Sequence, residues 1–278
     1  MELQGTWAFE PAVFAAALLG LALFAQGFLR LRRRGRRDHA SPRRAALFAL
    51  GTVIAVVALV SPLDAIGEEQ LLSAHMLQHV VIGDLVPALV IVSLRGPLLF
   101  FLLPAAALGA VARRPAVRRD LSFITRPEVT LAIWAATIAA WHVPAAYDSV
   151  LGNPVVHSLE HVTFMLAGIL VWFQLIDPAR REALPGVKRY GFALLVFVGA
   201  QALASTLIFA PHPLYPAYAG AGERPLGLSP YSDQVGAGLL MMGEMVLTFG
   251  IWTAYRLRAQ FRAPLTFPAE AERHPLAL

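Results

Sequence analysis

The chain has 278 residues, 57% of them hydrophobic and only 15% charged, with a mean hydropathy of +0.60. Soluble domains run at about 45–50% apolar and about 25% charged, so this composition excludes an ordinary soluble fold and predicts one integral membrane domain over 1–278. Cysteine is absent, which excludes disulfides, thiolate metal sites, iron–sulfur clusters, covalently attached haem and cysteine nucleophiles.

The first apolar run, 11–29, has no basic residue before it and a dense run after it, from Arg30 to Arg37. A cleavable signal carries its positive charge in front, so a retained span is expected. The second span is 45–60, followed by Asp64, Glu68 and Glu69. The third, 71–94, opens with His75-Met76-Leu77-Gln78-His79. Segment 97–112 is apolar, but Pro104 and Gly109 interrupt it and a span needs about 20 residues. An interfacial or re-entrant piece is expected there. The fourth span, 128–143, ends in Trp141-His142. Asn153-Pro154 opens the fifth, 155–176, which begins His157-Ser158-Leu159-Glu160-His161. The sixth is 190–210. A Pro/Gly-rich loop follows, and the seventh span, 234–255, carries Met241-Met242-Gly243-Glu244-Met245.

Seven spans with the N-terminus outside place 22 of the 23 lysines and arginines on the inner side, with only Arg224 outside. Counting 97–112 as a span would flip everything after it and destroy the asymmetry. The positive-inside rule therefore predicts an all-α, polytopic seven-helix bundle with a cytoplasmic C-terminus. The formal charge of +5 reads as orienting arginine, not as a nucleic-acid surface.

This topology gathers the polar groups. His75 and His79 are four residues apart and share one helix face, as do His157 and His161. With His142, Met241 and Met245, most of them fall within roughly 5–15 Å of the outer boundary at 1.5 Å per residue. Neutral imidazole suits copper, zinc and iron, and thioether sulfur selects Cu(I). The expected metal ligands are His75, His79, His157 and His161, then His142, with Met241 and Met245 as sulfur donors. Glu160, Asp148, Asp233 and Glu244 are candidates to orient a ligating ring. Asp84 is expected half a helix circumference from His75 and outside the cluster. Trp134, Trp141, Trp172 and Trp252 read as belt and packing aromatics. Two other readings stay open. One is a b-type haem electron-transfer protein, with His79 facing His161. The other is a zinc hydrolase using Glu160 or Glu244 as base, although no His-Glu-x-x-His motif is present.

Several pieces carry a family likeness in a fixed order. They are His-Met-Leu-Gln-His, Gly96-Pro97, Trp141-His142-Val143-Pro144 with Tyr147-Asp148, and Asn153-Pro154 before His157-x-x-Glu160-His161. Leu214-Tyr215-Pro216-x-Tyr218 and Asp233-Gln234 before Gly238-Leu239-Leu240-Met241 complete the set. Together they resemble the multi-span CtaG family of bacterial cytochrome c oxidase assembly proteins, over about 61–255. The resemblance implies a non-enzymatic factor in the bacterial inner membrane that serves copper provision to the oxidase. Its implied partners are oxidase subunits, membrane lipids and a periplasmic copper donor, with self-association also open. A single-span copper chaperone of the same name uses cysteines, and this chain does not resemble it.

The arginine asymmetry makes a direct prediction. Reporter fusions at Arg114 and Lys188 should report cytoplasm, and fusions at Glu68, Asn153 and Gly222 the outside. Opposite locations for Arg114 and Lys188 would overturn the span count.

Overall fold

The computed structural model describes residues 5–219 and 225–261, so Arg224 and His274 lie outside the described residues. Regular structure among the described residues is entirely helical. Proline marks most of the helix starts, as its fixed φ and missing N–H suit the first helical turn. It opens α1 (Pro11–Arg33), α2 (Pro42–Val60) and α3 (Pro62–Glu69). The third span is built from α4 (Leu72–Val80), a π turn (Val81–Leu85) and α5 (Val86–Ser93). Short helices α6 (Pro97–Phe101), α7 (Ala105–Arg113) and α8 (Pro115–Ile124) follow. Then come α9 (Pro127–Trp141), α10 (Pro144–Leu151), α11 (Pro154–Ile176) and α12 (Val187–Phe209). A single turn, α13 (Pro216–Ala219), precedes α14 (Pro230–Phe261).

Six of these elements are long and apolar enough to cross a bilayer. The expected fourth span is different: α9 has 15 residues, stops at Pro144 and bends by 72° into α10, so the count reaches seven only if that bent pair is one span. Pro144 cannot continue the α9 hydrogen-bond ladder, and it restricts Val143 before it. Segments α6 to α8 are 5, 9 and 10 residues long, too short to span.

Burial ranks the helices. The third span and α11 are each 50% buried over their apolar windows, while α1 is only 11% buried. The third span lies at the centre, touching α2, α3, α11 and α14, and α12 packs along α14. Trp134, Trp172 and Trp252 are buried in one cluster with Val171, Val196 and Phe249, so these three tryptophans are packing groups.

Two features fix the central crossing. Pro87 has no N–H to give the Gly83 carbonyl, and a proline ring crowds the carbonyl four residues back. The helix widens there, and Val86 N–H bonds the Val81 carbonyl, a five-residue step. The displaced Gly83 carbonyl faces α11 at Gly168, where an added Cβ would lie 1.9 Å from that oxygen. Close approach at small residues is how helices associate in lipid, where apolar burial gives no net drive.

The end of the bundle away from the arginine-rich loops is tied by polar groups from distant segments. Asp233 of α14 accepts hydrogen bonds from the backbone N–H of Leu72 and Ser73, at 2.8 and 3.0 Å. It thereby caps α4, whose own N-cap residue, Leu71, has no side-chain acceptor. Gln234 accepts from Leu214 N–H at 2.6 Å and donates to the Leu207 carbonyl at 3.0 Å.

Two stability predictions follow from these contacts. Gly168→Ala should lower thermal stability in detergent by about 1–3 kcal/mol through overpacking. Gly250→Ala, where nothing lies within 4 Å of the added carbon, should be neutral. Asp233→Ala should cost about 1–2 kcal/mol by uncapping α4, and Asp233→Asn should recover part of it.

Candidate metal centre

The crossing of α4 and α11 sets the two histidine pairs against each other. His75 and His79 lie one turn apart with ring centroids 4.2 Å apart, and His157 and His161 are 4.1 Å apart. Across the crossing, His75 to His157 is 5.5 Å and His79 to His161 is 5.6 Å. Glu160 enters between them: its Oε2 is 3.6 Å from His75 Nε2 and 3.4 Å from His79 Nε2. These distances exceed the usual N–H···O range. Both ring nitrogens of His75 and His79 and both oxygens of Glu160 are buried without a hydrogen-bond partner among the described residues.

One donor atom from each of His75, His79, Glu160 and His161 can be chosen so that all four lie within 4.8 Å of one another. Three imidazoles and a carboxylate at that spacing form a nitrogen–oxygen set of the kind that holds a divalent first-row metal. Unpartnered polar atoms in an apolar interior carry a desolvation cost, and an ion among them would remove it.

A second group, Asp64, His157 and His161, meets the same distance criterion. His157 Nδ1 is paired with Glu68 of α3, which fixes the ring and leaves Nε2 buried and unpartnered. That hydrogen bond from His157 holds the Glu68 carboxyl below its usual range. Burial pushes the Asp64 carboxyl up, and its Oδ1 accepts from Gln78 Nε2 at 2.5 Å. Helix α3 sits this close because residue 67 is glycine: a Cβ there would come within 3.0 Å of the His75 backbone.

Tyrosines close the other side. Tyr147 is fully buried, with its ring 5.1 Å from that of His75. Its hydroxyl meets that of Tyr218 at 3.2 Å, and Tyr218 donates to the Gly67 carbonyl. Tyr215 donates to the His142 carbonyl at 3.2 Å.

The other expected ligands lie beside the four-donor group. His142 bonds the Ile138 carbonyl through Nδ1 at 2.8 Å, keeps a buried, unpartnered Nε2, and faces Phe164. With His79, Asp84, Glu244, Met241 and Met245 it lines a cavity of about 60 Å³ beside the donor cluster. Met241 also packs against Leu72, Met76 and Tyr147, and Met245 against the tryptophan cluster. His142 is not among the four donors, and Met241 and Met245 share the cavity with His79.

Asp84 stays outside both donor groups, as expected. A straight helix would turn it about 180° from His75. The π turn takes back roughly 100°, so Asp84 shares the cavity with His79 and accepts from Trp172 Nε1 at 2.6 Å. Pro87 was the signal for this shift. Asp64 and Glu68 stand in the sequence as acids between spans, and the lone clue to their place is Gly67, which lets α3 fold back. Glu160 joins the donors directly, beyond the orienting role its spacing suggests. His212 is an exposed loop residue.

No curated protein and no solved structure matches this chain. A family model described as cytochrome c oxidase caa3 assembly factor matches residues 22–261, and the chain belongs to that family.

Proposed function

We propose that this assembly factor carries copper as cargo, binding it at His75, His79, His161 and Glu160 and releasing it for the oxidase. The observation that carries the reading is the convergence of four buried donors, each without a hydrogen-bond partner among the described residues. Copper is preferred to zinc on the family likeness, because the nitrogen–oxygen set itself suits either. The site lies at the outer membrane face when the helices are oriented by their arginines. His157 belongs to the neighbouring group, and His142, Met241 and Met245 line the adjoining cavity as soft or borderline donors for an ion on its way out. The role is binding and transfer, without turnover.

Size argues against haem. Ligand pockets run to roughly 300–1,000 Å³, whereas the cavity beside the cluster is about 60 Å³, room for an ion and a few waters.

Copper-to-protein ratios on the purified chain test the proposal. Wild type should bind a single copper ion with no Soret band. His79→Ala and His161→Ala should each lose most of the metal at equimolar copper. The double variant should be little worse than either single one, because ligands of one site act as a unit. Half-losses that add would sink the single site, and a Soret band would favour haem. In the host, His79→Ala should lower oxidase activity at normal membrane abundance, with partial rescue by added copper.

A further inference from the structure

The two donor groups overlap on one ring. His161 belongs both to the inner set with His75, His79 and Glu160 and to the second set with Asp64 and His157. A neutral imidazole has one lone pair for a metal, so His161 serves one position at a time. The sets are therefore alternative places for one ion.

They also differ in depth. The side chains of His75 and Glu160 are 0% exposed, while that of Glu68, which holds His157, is 32% exposed. Asp64 is half-buried and Glu69 exposed on the same short helix. An acidic, partly open end of this kind raises the local concentration of cations. His157 is already oriented for ligation, with Nδ1 on Glu68 and Nε2 free inside. Carboxylate–imidazole pairs of this type fix the ring of metal-binding histidines.

We propose that Asp64 and His157 form an entry station, from which a copper ion passes to the inner donors while His161 stays bound throughout. This rests on the copper reading above. The step is a ligand exchange without redox change. The bonds to the Asp64 carboxylate and His157 Nε2 break as bonds to Glu160, His75 and His79 form, and the proton on His157 Nδ1 stays there, hydrogen-bonded to Glu68.

Kinetics and stoichiometry of the full chain in detergent test it, with copper(II) supplied from a coloured chelator. Wild type should take up a single ion. Asp64→Asn and Glu68→Gln should reach the same final ratio about ten-fold more slowly. In the His75→Ala/His79→Ala double variant a weakly held ion should remain, and adding Asp64→Asn should remove it. Wild-type uptake rates in both Asp64→Asn and Glu68→Gln would overturn the entry station. So would two ions per wild-type chain, since the positions would then be independent. Failure of wild type to bind any copper would instead strike the copper reading itself, and the entry station would fall with it.

Discussion

The centre depends on how closely α11 can cross the third span. Every cross-helix distance among the histidines is set by that crossing, and the crossing is set where the Gly83 carbonyl meets Gly168. Pro87 releases that carbonyl from the ladder, and the glycine opposite accommodates it. In lipid no hydrophobic force squeezes helices together, so the spacing must come from shape. A larger residue at 168 would separate the helices at this point, and the histidine pairs lie about two turns along from it. The candidate donor cluster is in this sense a consequence of one proline and one glycine that are not among its donors.

A second layer of constraint holds the end of the site where its helices start. Helices α4 and α11 both begin there, and helix starts are weak points because their first N–H groups lack partners. Asn153 caps α11 from within its own chain segment, accepting from Val155 and Val156. Asp233 caps α4 from α14. Tyr218 reaches the Gly67 carbonyl and pins α3 over the cluster. These residues come from the motifs that carry the family likeness, and their work here is structural. The histidines are placed by helix periodicity, while the non-helical pieces decide where those helices start and how firmly.

Much of this was legible in the residues, and the exceptions have physical causes. Two His-x-x-x-His pairs announce shared faces because helix geometry is local. The apolar runs announce spans, although α9 alone is too short and only its bent pairing with α10 reaches a span's length. Asp84 stands outside both donor groups, as its spacing from His75 indicates, while the π turn before Pro87 brings it to the neighbouring cavity. Met241 and Met245, expected as sulfur donors, line the cavity beside His79 and touch the packed clusters. Asp64 and Glu68 were invisible as site residues because only the fold-back of α3 brings them to His157.

Charge explains why the carboxylates sit where they do. An ion taken from water into a low-dielectric interior loses several kcal/mol of solvation unless compensated. Three neutral imidazoles supply lone pairs but no charge, so compensation inside falls to Glu160. At the entry position the same duty falls to Asp64. Passing from one to the other exchanges a carboxylate for a carboxylate and one imidazole for two. The net charge of ion plus ligands is therefore unchanged along the step, while the number of nitrogen donors rises. In a medium of low dielectric, a change in net charge would set the largest barrier. A pathway that keeps it constant and adds ligands on the way in lets the ion move deeper without ever being bare.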